Sequence, residues 1–526
     1  MDNKKQQNSV DLVIEDTITS LIYQGKHEEA WEYTLDLDEI FRLYHQIQIS
    51  LDQGKLIESL KLLQQAIKLT HNQTDPKIKD IWYKLKLYQI AIQMFIDPRK
   101  GIEYFNEFRD IPQKDDEFTL GMTNLISGMI NNDPNYYQAS IDHLISSEEL
   151  TMLELSYTLL FHLIGANKAL EQVDNAIRTF KHFGHKNKVS VFTCFKGSLY
   201  QVLGNYKEAR LLNIKAFEEC SRTNFVHGVA NANICLGAIA IEEGNISEAI
   251  KRLEPSSKIF YQNFGYYPGI SILIEAYRYS GMYNQGLKVS LDNLEQMKIF
   301  SPTVYERLFI EITLLVLAMD KLELAKELYE RFKSIAGTVQ DSTIENSLKF
   351  CEALILKQSK SMGTAYKAQI MMRELLKTTA LSYPTRTEII KQLCELLLLE
   401  YELYEQKEIL IEVQEYINFL SNIAQEQNLI RLTFEAGIIS SKLELLKKDF
   451  GNGRKILVNL RDYAKSKGLS VYEQVVSKEI AFLDENYAKW FDLVESNVSL
   501  REFMEKTKIK NYMTNALKQI DVMKLN

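Results

Sequence analysis

The chain has 526 residues, 46% of them hydrophobic and 25% charged, with only 22 glycines and 8 prolines. So few breakers over that length disfavour a turn-rich β fold and point to many helices, in a chain that grows by adding units along one dimension. A formal net charge of -8 argues against a duplex-wrapping nucleic-acid binder, which needs a dense basic face to neutralise phosphates.

In chain order, the opening MDNKKQQNSV has no apolar stretch after its lysines, and residues 1–10 are expected to be a flexible N-terminus without an export signal. From residue 11 a helix-pair skeleton begins. It is read in QGKHEEAWEY with Gly25 and Ala30, DQGKLIESLKLLQQAIKL with Gly54 and Ala66, and DPRKGIEYFNEF with Gly101. DPNYYQASIDHL with Tyr137 and EQVDNAIRTFKHF with Ala176 continue it.

Between about residues 188 and 333 the repeat is clearest. FKGSLYQVLGNYKEARLLNIKAF from Phe195, CLGAIAIEEGNISEAIKRLEPSS from Cys235 and LIEAYRYSGMYNQGLKVSLDNL from Leu273 align without gaps at their turns. The first carries Gly197, Tyr200, Gly204, Tyr206, Ala209 and Ala216, and the second repeats the first five offsets with Gly237, Ala240, Gly244, Ile246 and Ala249. Two antiparallel helices that approach closely need small residues where the partner's bulk packs, which is the expected role of Gly197 and Ala209. Gly204, Gly244 and Gly281 fall where the first helix ends, and only glycine takes the left-handed conformation there cheaply. Gly204 to Gly244 spans 40 residues, Gly244 to Gly281 spans 37, and Gly281 to the equivalent Asp320 spans 39.

The skeleton continues in DKLELAKELYERF with Ala325, GTAYKAQIMMREL with Ala368, EQKEILIEVQEYINFL, and DFGNGRKILVNLRDYA with Gly453. About eleven pairs are expected over residues 11–476. Pro76, Pro98, Pro112, Pro134, Pro268, Pro302 and Pro384 fall at helix starts or connections, whereas Pro255 lies inside a helix and predicts a kink. Residues 477–526 read as capping helices, the last opened by Ser499 with Glu502 three positions on. The alternative for that end is an exposed stripe of Phe503, Tyr512, Met513 and Leu517 for a partner helix or a second copy of the chain.

With its small residues at Gly197 and Ala209 and an aromatic at Tyr200, the sequence resembles the tetratricopeptide repeat family, in the elongated variety found in signalling and scaffold proteins. The resemblance implies an all-α fold, a right-handed superhelical α-solenoid, although a HEAT or armadillo array has a closer repeat length. It also implies partner binding on the concave side, where the groove positions correspond to Gln201, Asn231, Glu242, Ser271, Glu275, Arg278 and Arg307. Elongated units suggest a wide groove suited to an extended segment. The carboxylate-clamp set of chaperone-tail readers is missing, because Ile234 and Ala238 stand at two of its positions.

Catalytic constellations are sparse. Gly25-Lys26 and Gly54-Lys55 lack the rest of a phosphate loop, His27 in HEEAW lacks the second histidine of a zinc protease, and no GxSxG elbow or dinucleotide fingerprint occurs. His182 and His185 are too few for a metal and read as solvated, as do the acid pairs Glu148-Glu149 and Asp115-Asp116 at helix starts. Cys194, Cys220, Cys235, Cys351 and Cys394 are scattered singly and read as small core residues of a reducing compartment. Most aromatics read as core, while Tyr266 and Tyr267 of FGYYPG either reach a ligand or cover the seam between units. The expectation is a cytoplasmic interaction scaffold for a protein or peptide partner, with no enzyme activity, cofactor, metal, nucleic acid or membrane. A ligand- or peptide-responsive regulator acting through a separate effector is the alternative, and an enzyme subunit the third class.

Overall fold

The computed structural model describes residues 2–109, 115–264, 267–296, 302–337, 342–359, 361–378, 381–496 and 502. Twenty-five helices follow one another, and no strand occurs among the described residues. The first ten are α1 (Asp2–Gln24), α2 (His27–Thr34), α3 (Glu39–Asp52), α4 (Leu56–Thr70), α5 (Pro76–Ile96), α6 (Pro98–Arg109), α7 (Glu117–Asn131), α8 (Pro134–Ser146), α9 (Leu150–Ile164) and α10 (Ala166–His182). The next eight are α11 (Lys186–Val202), α12 (Tyr206–Arg222), α13 (Val226–Glu242), α14 (Ile246–Phe264), α15 (Ile270–Tyr279), α16 (Tyr283–Gln296), α17 (Pro302–Ala318) and α18 (Leu322–Ala336). The last seven are α19 (Ser342–Gln358), α20 (Met362–Leu376), α21 (Tyr383–Tyr404), α22 (Lys407–Gln427), α23 (Ile430–Leu446), α24 (Phe450–Ser466) and α25 (Ser470–Glu495). Among the described residues consecutive helices pack on one another from α1 to α25, save that α7 packs on α5 rather than α6, so the protein is an all-α solenoid. Among the described residues α1 to α24 form twelve successive pairs, close to the number expected, and α25 follows them.

The turns follow from local chemistry. At the end of α11, Gly204 has φ 83° and Gly244, after α13, has φ 75°. In the first turn the Gly204 amide donates to the Gln201 carbonyl at 3.0 Å and the Asn205 amide to the Tyr200 carbonyl at 2.8 Å, which satisfies carbonyls that the helix end leaves open. Asp320, at the equivalent place, adopts the same left-handed region with φ 55°. Starts are capped as well: Asp75, Asp116, Asp133, Ser382 and Asp449 accept from backbone amides at the heads of α5, α7, α8, α21 and α24. Pro76, Pro98, Pro134 and Pro302 open or nearly open their helices, where a missing amide is harmless. Helix α14 runs through Pro255 from Ile246 to Phe264. Pro112 lies outside the described residues.

Close packing within pairs uses the small residues. A Cβ on Gly197 would meet the Asn213 amide at 2.7 Å, and one on Gly237 would meet the Leu253 side chain at 2.7 Å. Asn213 is fully buried and donates to the Ala209 carbonyl at 2.8 Å, so it has little room to give. Gly197→Ala is therefore expected to destabilise the α11–α12 pair by roughly 1–3 kcal/mol, read by urea denaturation.

Residues 2–10 belong to α1, and the boundary at 477 falls inside α25, which starts at Ser470 and packs on α24 through buried Trp490, 5.8 Å from Phe450. Beyond it, Ser499, Phe503, Tyr512, Met513 and Leu517 lie outside the described residues.

The superhelix is tightly wound. Contacts recur ten helices along the chain: α1 touches α11, α4 touches α14, α11 touches α21, and α13 touches α23. One turn is thus five pairs, and successive turns lie directly on each other. At the α11–α21 contact Gly204 lies against the Tyr383 ring, and Gly244, just after α13, lies against the Tyr472 ring of α25.

Candidate functional site: a charged seam inside the superhelix

The first helices of the pairs face inward, and from α13 to α23 they carry charge into an otherwise apolar interior. Arg431 on α23 donates to Glu242 on α13 at 2.5 Å, to Tyr279 Oη on α15 at 2.6 Å, and to Glu435 one turn along at 2.9 Å. Its guanidinium also lies 5.0 Å from the Tyr279 ring centre, with Arg278 at 4.3 Å, so the ring sits among two cations. Arg307 on α17 donates to Glu275 on α15 at 2.5 Å, and Arg278 to Glu311 on α17 at 3.2 Å. On α21, Lys391 bridges Glu388 at 2.7 Å and Glu435 at 3.1 Å. Glu242, Glu275, Arg278, Glu311, Lys391, Arg431 and Glu435 are all buried.

A second node ties the first turn to the next. Asp52 at the end of α3 is 1% exposed and accepts from His27 Nε2 at 2.8 Å and His185 Nε2 at 2.9 Å, while Lys188 Nζ lies 3.0 Å away. Lys188, buried in α11, also pairs with Glu154 of α9. Beside this node Gly25 leaves room for Asn187, whose Oδ1 accepts from Thr223 at 2.8 Å.

Environment sets the charge states. Burial would raise the Asp52 carboxyl, yet Lys188 and His185 beside it hold it well below the usual range. Burial, and then the neighbouring Glu275, pushes Glu311 up to about 7. Glu275 goes the other way: burial opposes it, but Arg307, Arg431 and Arg278 hold it down. Glu388 is held down at about 2, its burial outweighed by Lys391 and Arg278. Because Glu311 binds its proton more tightly when folded, stability falls as pH rises from its ordinary 4.5 to about 7. Glu311→Gln is expected to flatten that slope and to raise the melting temperature at pH 8, measured by thermal denaturation across pH.

Of the residues assigned to a groove, Glu242, Glu275, Arg278 and Arg307 come together in this network, and Gln201 and Ser271 are buried on the same faces. Asn231 contacts His227 at 3.2 Å. A five-pair turn brings α23 of the next turn onto Glu242 through Arg431, so this part of the inner face is covered by protein in this structure. Sequence reading missed Glu311, Glu388, Lys391, Arg431 and Glu435, and the Asp52 node. A signal existed in isolated charges inside apolar runs, as in LFIEITLLVL around Glu311 and LIRLTFEAGII around Arg431.

Other expectations resolve individually. His185 turns inward to Asp52 while His182 stays exposed, so the two are not neighbours on one site. Glu149 is buried rather than solvated, accepting from Tyr88 at 2.6 Å, because the α8–α9 turn is covered by α5. Tyr267 is 1% exposed and packs 5.9 Å from Phe260, covering the seam between units; Tyr266 lies outside the described residues. All five cysteines are buried free thiols. Among the described residues, no helix is long and apolar enough to cross a membrane and no group of three or more His, Cys, Asp or Glu could hold a metal. On the outside, a cavity of about 380 Å³ between α20, α21 and α22 is lined by Tyr366, Gln369, Leu396, Glu400 and Tyr404.

No family model matches the chain, and no curated protein sequence does. Among solved structures it is similar to a circular tandem repeat protein with novel repeat topology and enhanced subunit contact surfaces. That match is at 13% identity over 98% of this chain and 92% of the other, with a TM-score of 0.14.

Proposed function

We propose that this solenoid is of the tetratricopeptide type and serves as an interaction scaffold, holding a peptide or helix of a partner protein against the inner faces of its first helices. The observation that carries this reading is the line of charged side chains on those faces, paired with one another across helices and turns. A buried ion pair is close to break-even against its desolvation cost, so a partner segment that supplies matching charges can replace the internal pairs at small net cost. Turn chemistry of helix, left-handed glycine and helix, with small residues at Gly197 and Ala209, supports tetratricopeptide packing over a HEAT or armadillo array. A binding role in place of catalysis, in the cytoplasm, fits buried free thiols and inner charges that neutralise each other.

The seam also favours a second reading. A ligand or peptide that enters between turns changes their spacing, and a separate effector protein could read that change. Affinity purification from native cells, followed by rebinding with Glu275→Ala and Arg278→Ala, tests the site; both variants are expected to lose the partner by tenfold or more in Kd, about 1.4 kcal/mol each. Full binding by both folded variants removes the groove assignment. Small-angle scattering with and without partner separates the readings, since a regulator changes its radius of gyration and a static scaffold does not.

A further inference from the structure

Cys194 and Cys235 stand 41 residues apart in sequence, each alone among apolar neighbours, yet the fold brings them face to face. Cys194 lies on α11 and Cys235 on α13, the first helices of adjacent units, with their Sγ atoms 3.8 Å apart. Ala216, Ala232 and Phe217 pack around the pair. A disulfide is about 2.05 Å long, so the sulfurs must close by roughly 1.8 Å.

We propose that Cys194 and Cys235 form a redox-active thiol pair, which a hydroperoxide converts to a disulfide that staples two adjacent units.

The neighbours give the two thiols different roles. Ser198 Oγ lies 2.9 Å from Cys235 Sγ. The hydrogen bond from Cys194, and then that from Ser198, draws the Cys235 thiol down against its burial, while the same contact and burial push Cys194 up. With the Ser198 hydroxyl beside it, Cys235 is assigned as the attacking thiolate, and Cys194 keeps its proton until the second step. The Cys235 sulfur attacks the distal peroxide oxygen, the O–O bond breaks, and the alkoxide leaves as the alcohol with the proton that Cys235 gave up. The resulting sulfenic acid is attacked by the Cys194 sulfur; the S–S bond forms, and hydroxide departs with the Cys194 proton as water. Two thiols supply the two electrons that reduce the hydroperoxide.

A cavity of about 460 Å³ between α10, α11 and α12 is lined by Ser190, Thr193 and Ala216, and Ala216, which also packs in the shell around both sulfurs, stands between that cavity and the pair. Cys351 and Cys394 are buried and burial raises both thiols, which makes them internal controls in the same chain.

The test uses the full chain treated with hydrogen peroxide, quenched with iodoacetamide, and mapped by mass spectrometry. The expected product is one peptide pair joined through Cys194 and Cys235, lost on reduction with dithiothreitol, formed at least ~10-fold faster than any oxidation of Cys351 or Cys394. In Cys194→Ser the link disappears and Cys235 is trapped by dimedone as a sulfenic acid; in Cys235→Ser both signals vanish. Cys194 and Cys235 that remain fully alkylated, a Cys235 sulfinic acid without the link, or a link to Cys220 instead overturns the proposal. The wild-type peptide map decides the matter even where a serine variant folds poorly.

Discussion

Arg431→Met is expected to lower the stability of the folded chain by roughly 3–5 kcal/mol at neutral pH, among the largest effects of a single substitution here. Methionine fills nearly the same volume, so the cause is charge. Without the guanidinium, Glu242 loses its 2.5 Å partner, Tyr279 Oη loses its donor, and Glu435 retains only Lys391. An uncompensated buried carboxylate carries the desolvation penalty that the pair had offset. Replacing both ends, as Glu242→Leu with Arg431→Met, is expected to recover most of the loss, because it removes the stranded charge with its partner. Urea denaturation measures the free energies, and hydrogen exchange locates the loss on α13 and α23. Equal losses in the single and double variants would show that shape, and not charge, holds the turns together.

The second large effect is expected at Asp52. Asp52→Ala removes the acceptor for His27 and His185 and one of the two carboxylates on Lys188, at a cost of roughly 3–5 kcal/mol. Units of a solenoid hold mainly their neighbours, so the loss is expected to be local: faster exchange in α2, α3 and the start of α11, with α19 to α24 unchanged. The same residue predicts an acid limb. Its carboxyl is held below its unfolded value of 3.8, so its contribution is complete above about pH 4 and is lost as pH falls toward the folded value. The variant is expected to lack that part of the acid sensitivity. An acid titration by circular dichroism, identical for wild type and variant, would falsify the assignment.

Much of the fold was legible because its signals are local. The residues that turn the chain, Gly204, Gly244 and Asp320, act through their own backbone angles, and Gly197 and Gly237 act on the next helix in the chain, at Asn213 and Leu253. The prolines that open helices work the same way. The site was legible only in half. Glu242, Glu275, Arg278 and Arg307 were found from the register of the first helices, but each was assigned to an open surface. Glu311, Lys391, Arg431 and Glu435 were passed over because nothing within one unit says that a charge on α23 will meet one on α13.

The sequence by itself determined the repeating helix pairs, the turns between them and the faces that each helix buries, since period, turn residue and small-residue spacing are encoded within each unit. Only the tertiary structure decided the pitch. A small rotation between neighbouring units accumulates over five of them before α13 meets α23, and the sum of those rotations is set by packing at every interface. That closure turned a line of groove residues into a buried seam. It also set Cys194 beside Cys235, through a unit-to-unit contact that the sequence intervals leave open.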